Sequence, residues 1–271
     1  MYKIIDVHTH IYPEKVNEKA TDNLSRFYRF TVNSKGTLSD LENQCAASHV
    51  TGFFILSVAT NAHQVRSVND FAAGSAEQAR KDGFEAYGFG GMHQDFTEME
   101  EEVERAVSMG LCGIKLHPDI QKVDIDDRRL YPLYEACSRL GVPVYFHSGD
   151  ARREYRFSEP RRIAKILGTF KDLRVAAAHL GGYKAWDEAI QYLKGNERVW
   201  YDTSSSLWSM TAECANGIIS KIGKERLMFG SDYPGEFISD ELERFFALKM
   251  TDKELENVLY YNARRFLGKD G

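Results

Sequence analysis

CGIKLHPDIQKVDIDDRRLYPLYEACSRLGVPVYFH, residues 112–147, holds one full unit of the chain's rhythm: an apolar run, an amphipathic stretch and a second apolar run. The runs 112–116 (CGIKL) and 142–147 (VPVYFH) are nearly continuous in apolar residues, as strands buried on both faces are. Between them, 127–140 (DRRLYPLYEACSRL) carries apolar residues at helical spacing. Outward from this unit, six further runs fit strands: 3–7 KIIDV, 52–58 GFFILSV, 85–90 EAYGFG, 173–178 LRVAAA, 198–202 RVWYD and 226–231 RLMFGS. After a first interval of 49 residues, successive runs start 25–33 residues apart, the length of one strand, one helix and two short loops. Helices are predicted over 97–109 and over 158–168, which opens with a cap-like Ser158 and an early proline.

Eight alternations of strand and helix predict a parallel sheet. Strands this uniformly apolar fit a closed α/β barrel, the (β/α)8 TIM barrel, better than an open doubly wound sheet, and no GxGxxG turn follows the first strand. A chain of 271 residues, 43% hydrophobic and 28% charged, suits one such barrel as a single domain over 1–271. The long first interval places residues 11–36 between the first strand and its helix as an insertion rich in aromatic and basic groups: Tyr12, Arg26, Phe27, Tyr28, Arg29 and Phe30. Loops that follow strands lie on the catalytic face of a barrel, so this insertion is expected to cover the mouth; a packed surface excursion is the alternative.

Composition narrows the partners. A net charge of −5 without a basic block gives no general attraction to nucleic acid or to an anionic membrane. No apolar run approaches the roughly 18 residues that span a bilayer, and the N-terminus runs straight into a strand, which predicts a cytoplasmic protein. Cys45, Cys112, Cys137 and Cys214 form no CxxC pair and read as thiols in a reducing compartment. A small molecule is the expected partner, and self-association stays open.

The chemistry starts at DVHTH, 6–10. His8 and His10 are two apart on a strand and point to the same side, so two imidazoles form a chelate. His147 ends the fifth predicted strand, His179 follows the sixth and Asp232 the eighth. A barrel gathers these strand ends around one mouth. His8, His10, His147 and Asp232 are therefore expected to hold a divalent metal, zinc by its taste for imidazole and carboxylate donors, with a position left for water. His49, His63 and His93 match no ligand position and read as structural.

The ordered segments DVHTHIYPEKV, GIKLHP, FHSGD, AHLGG, WYDTSS and FGSDYP, closing in LYYNARRFLG at 259–268, resemble the amidohydrolase superfamily. Within it they resemble the metal-dependent hydrolases that include the aminocarboxymuconate semialdehyde decarboxylase-like enzymes. The resemblance implies a metal on His8, His10 and a later histidine, Asp232 beside the bound water and His179 available to substrate. Asp232 and His179 are thus the expected catalytic pair, Asp232 taking the water's proton and His179 polarising a carbonyl or protonating a leaving group. Some relatives place a carbamylated lysine or a glutamate where Lys115 falls; one ion is expected, and two, with Lys115 and His179 as second-metal or bridging residues, is the alternative. Asp202 in YDTSS is expected to hydrogen-bond a ligand histidine.

Lys115, His117, Arg152 and Arg153 lie in loops after strands and point to an anionic substrate, as Arg156 does; Trp208, with Ser204, Ser205 and Ser206, is expected to line the pocket. Arg152 and Arg153 could equally pair with Asp150 and Glu154. The expected reaction is hydrolysis of a carboxylate-bearing lactone, ester or amide by metal-activated water. The alternative is a metal-dependent decarboxylase, a lyase, and a third reading is a non-catalytic ligand-binding barrel.

Overall fold

The computed structural model describes residues 2–269. Its strands are β1 (Ile5–Thr9), β2 (Gly52–Leu56), β3 (Glu85–Gly91), β4 (Gly113–Leu116), β5 (Val144–Phe146), β6 (Val175–Ala177), β7 (Val199–Asp202) and β8 (Leu227–Met228). They lie side by side in chain order, every neighbouring pair parallel. The ends of the sheet meet: Thr9 pairs with Tyr233, and Asp232 N–H donates to the His8 carbonyl at 2.9 Å. The fold is the expected (β/α)8 barrel, and each predicted apolar run overlaps its strand.

A parallel barrel needs apolar cover on both faces of every strand. Outward residues such as Phe53, Ile55, Val144, Phe146 and Val175 pack beneath the helices. Inward residues fill the interior, among them Phe54, Phe89, Tyr145, Ala176, Trp200 and Met228. Each fully buried Phe or Val side chain contributes roughly 1.5–3 kcal/mol relative to exposure. The floor comes from the far end of the sequence. Phe266, on the last helical turn (Asn262–Phe266), stacks parallel to Phe89 at 6.3 Å and meets Tyr145 and Trp200 at 6.0 and 5.8 Å.

Simple alternation along β1 would misplace the two histidines. Ile5 and Val7 belong to the interior cluster, so strict period two would send His8 and His10 outward. The pairing of β1 with β2 shifts between Asp6 and Thr9, and this irregularity returns both imidazoles to the mouth.

Two helices fill the long first interval. Within 11–36 lies α1 (Asn17–Tyr28), which has no fully buried residue. The helix Leu38–Ala47 follows, its first turn capped by Thr37, whose side chain accepts from Asp40 N–H. The predicted helices at 97–109, 127–140 and 158–168 appear as Met99–Ser108, Tyr131–Leu140 after a short 3-10 turn, and Pro160–Thr169. Ser158 is not the cap of the last: its hydroxyl donates to Asp119 Oδ2 at 2.5 Å, and Pro160 opens the helix beside Glu159. No helix among the described residues is long and apolar enough to cross a membrane.

Candidate metal centre

His8 Nε2 lies 3.2 Å from His10 Nε2 and 3.3 Å from Asp232 Oδ1, and His10 Nε2 lies 3.6 Å from the same oxygen. The other nitrogen of each ring is already engaged. His8 Nδ1 donates to Asp202 Oδ2 at 2.8 Å and His10 Nδ1 to the Leu56 carbonyl at 2.6 Å. With those nitrogens engaged, each ring turns its Nε2 toward the other and toward a carboxylate oxygen. Two imidazole nitrogens and one carboxylate oxygen converging at one point are a donor set that fits a borderline divalent cation. His10 and Asp232 keep 14% and 23% of their side-chain surface exposed, so the set opens toward the mouth.

The electrostatics agree. Burial, reinforced by the charges of His8 and Lys115, pushes His10 down to about 3, which leaves it neutral and able to ligate. Burial alone would raise Asp232, but His8, His179 and His10 outweigh it and hold the carboxylate below its usual range. Asp202 follows the same balance, with burial opposed first by the charge of His8 and its hydrogen bond. Asp202 also accepts from Tyr145 OH, His179 N–H and Ser204, and so ties β5, β6 and β7 to the ring of His8.

His147 stands apart from that trio. Its Nδ1 is 3.0 Å from His179 Nε2, while His179 Nδ1 donates to the Ser204 carbonyl at 3.0 Å, so His147 supplies the proton of their shared bond. His147 Nε2 has no hydrogen-bond partner among the described residues and lies 3.6 Å from Asp119 Oδ2, and the ring stacks on His117 at 3.9 Å. His117, Asp119 and His147 thereby form a second group of converging donors. Lys115 is fully buried, with Nζ 3.3 Å from His8 Nε2 and 4.8 Å above the Tyr145 ring; burial lowers its amine to about 8. No carboxylate among the described residues makes an ion pair with it.

The backbone around the mouth is strained. His179, Leu180, Ser205 and Asp232 all have left-handed φ values, 62, 55, 50 and 67°, each costing about 1 kcal/mol or more in a residue with a Cβ. Hydrogen bonds of Leu180 N–H to the Asp202 carbonyl (2.7 Å) and of Asp232 N–H to the His8 carbonyl hold two of these turns.

A family model for amidohydrolases matches residues 5–269. The chain belongs to the amidohydrolase family. Among curated relatives, a 2-amino-3-carboxymuconate-6-semialdehyde decarboxylase of Dictyostelium discoideum is 24% identical over 225 residues, 68% of this chain. The match spans 61% of that relative's own length. An uncharacterised TIM-barrel protein of Bordetella bronchiseptica superposes with a TM-score of 0.78 at 22% identity, covering 98% of this chain and 99% of that one. A 5-carboxyvanillate decarboxylase of Novosphingobium aromaticivorans, solved with manganese and 4-hydroxy-3-methoxy-5-nitrobenzoic acid, gives 0.75 at 14% identity over 98% and 96%.

In this amidohydrolase the basic loop residues divide. Arg152 is committed: Nε and Nη2 donate to Asp150 at 2.9 and 2.6 Å, Nη1 donates to the Phe27 carbonyl at 2.5 Å, and the guanidinium lies between the rings of Phe27 and Tyr155. It pins α1 to the β5 loop in place of offering a free fork. Arg156 pairs with Glu159 at 2.5 Å, while Arg153 is exposed beside Lys184, Asp187 and Glu188 in a cleft of about 440 Å³ outside the mouth. His117 reaches the mouth through Tyr28, whose hydroxyl is 2.5 Å from its Nε2. Trp208 is 46% exposed and lies beside Tyr183, which in turn meets His179 at 6.4 Å. His93 is buried, with Nδ1 accepting from Asp95 N–H.

Asp119, Tyr145 and the contact of Tyr28 with His117 were not legible in the sequence. Asp119 sits two residues beyond His117 in HPD, which is the one local signal it offers; Tyr145 looks like any strand residue.

Proposed function

We propose that this amidohydrolase is a metal-dependent decarboxylase of small aromatic or enoic acids. The observation that carries the reading is the converging set of His8, His10 and Asp232 at the open end of a barrel. Hydrolysis was the expectation from sequence; the alternative has the better support, since the curated relative and the manganese-bound neighbour are both named decarboxylases. Manganese in that neighbour also sets zinc and manganese side by side as candidates. A divalent ion at this site supplies a Lewis acid for a substrate oxygen and a water of lowered pKa.

His8, His10 and Asp232 would hold that ion, with His147 the next nearest imidazole and Lys115 beside His8. One ion fits this donor set; a second would draw on Lys115, His179 and His147. Loss of carbon dioxide leaves an electron pair on carbon, which needs a proton. His179, fixed by Ser204, and Asp232, fixed by Ser205 Oγ at 2.5 Å, are the groups that hold and return it. The single-domain barrel of 1–271 carries α1 as the cover of the mouth, with Lys115 and His117 on the anionic side of the substrate and Trp208 at the rim. Four free cysteines support a cytoplasmic setting.

The test loads the chelated protein with zinc or manganese and offers panels of lactones, aromatic acids and enoic acids. Carbon dioxide release that disappears on chelation and returns with metal supports the proposal. Hydrolysis without carbon dioxide replaces it with the hydrolase reading, and ligand binding without turnover replaces it with a binding barrel.

A further inference from the structure

Tyr28 ends α1 beside His117 and His147, and its hydrogen bonding is incomplete. His117 Nδ1 accepts from Ile120 N–H at 3.3 Å, so the proton of the neutral ring sits on Nε2 and is donated to the Tyr28 oxygen. The phenol therefore acts as acceptor toward His117, and its own O–H is left to donate elsewhere. No acceptor for it is found among the described residues. The ring lies 6.1 Å from His147, and the charges that bear most on the phenol are those of Asp232, Asp119 and Asp150.

The position of this group is built, not incidental. Arg152 clamps the preceding residue by bonding the Phe27 carbonyl and stacking on its ring, and Phe27 meets Tyr155 edge-on at 4.9 Å. Arg29 follows Tyr28 in a left-handed conformation, φ 61°, which stops the helix at the residue that faces the mouth. A helix without one fully buried residue is thus fastened at its last turn.

We infer that Tyr28 is a substrate-contacting residue, whose phenol O–H, freed by His117, donates to an anionic oxygen of a carboxylate held at the mouth. His117 and Arg152 are positioning residues that act through it. The inference rests on the reading of the mouth as an acid-binding site. It adds a group from the insertion to a site otherwise made of strand ends, and it assigns specificity to that insertion.

The experiment is calorimetric titration of manganese-loaded protein with benzoate, salicylate, cis,cis-muconate and 4-hydroxy-3-methoxy-5-nitrobenzoate. Tyr28→Phe keeps the ring and removes the donor. It is expected to weaken the acids that bind wild type by about tenfold or more, the range for a hydrogen bond to a charged acceptor, with metal content unchanged. Equal affinities in wild type and variant overturn the inference, as does a wild type that binds none of the four. Should Tyr28→Phe fail to fold by circular dichroism, Arg152→Gln gives the same reading: weaker binding supports, unchanged binding overturns. Failure of the metal-loaded protein to release carbon dioxide from any member of the wider acid panel sinks the decarboxylase reading and leaves this comparison of affinities intact.

Discussion

Asp202 shows how one buried carboxylate can set the chemistry of a neighbour it does not share with substrate. Its charge fixes the proton of His8 on Nδ1, and that choice is what turns Nε2 toward His10 and Asp232. Asp202→Asn keeps the shape and removes the charge; metal affinity is expected to fall about 10- to 100-fold in a competitive chelator titration. Unchanged affinity would mean that His8 keeps its tautomer without help. Glu241, on the helix Ile238–Phe246, gives a separate test. Burial raises its carboxyl to about 8, with Arg244 at 2.7 Å pulling the other way. The folded chain then retains a proton that the unfolded chain, near the ordinary 4.5, has released. Stability from this group is complete below about pH 4.5 and is lost as pH rises through about 8. Glu241→Gln is expected to raise the melting temperature more at pH 8.5 than at pH 5, by roughly a few degrees; a gain independent of pH would contradict the assignment. His8 and His10 were legible in the sequence because two residues apart on a strand is a local fact. Asp119 was not, since its approach to His147 depends on how the β4 and β5 loops fold together.

At the scale of elements, the apolar runs were readable because a barrel strand must be hydrophobic on both faces, whatever follows it. What lay outside that reach was the irregularity in β1: period two read from Ile5 and Val7 predicts the wrong face for the histidines, and only the shifted pairing with β2 restores them. Ser158 teaches the same lesson at a helix start, where a hydroxyl with cap chemistry donates to Asp119 in place of accepting from the helix N–H groups. The insertion 11–36 was recognisable by its length, but its attachment through Arg152 was not, because a loop arginine beside Asp150 reads equally as solvated. With no fully buried residue, α1 depends on that attachment. Its amides are expected to exchange with deuterium faster than those of the helix Val65–Lys81, and Arg152→Gln should speed them further while leaving Val65–Lys81 unchanged. Equal exchange in the two helices would show that α1 is held by more than its last turn.

The whole molecule joins its two ends of sequence around one axis. β1 and the residue after it carry the first two candidate ligands, and the last helical turn places Phe266 beneath them at the opposite end of the barrel. Phe266→Ala removes a ring buried against Phe54, Phe89, Tyr145 and Trp200, an expected loss of about 3–5 kcal/mol that a denaturant melt would measure. A loss under about 1 kcal/mol would show that the floor closes without it. That floor also governs traffic. An interior stopped with aromatic rings is a blind well, so a reactant and everything made from it pass the same threshold, beneath α1. On the decarboxylase proposal two products would form at the bottom of such a well and queue for one exit, and turnover is expected to slow as sucrose thickens the solvent. If rates are indifferent to viscosity, departure is not the slow step and the doorway stands open.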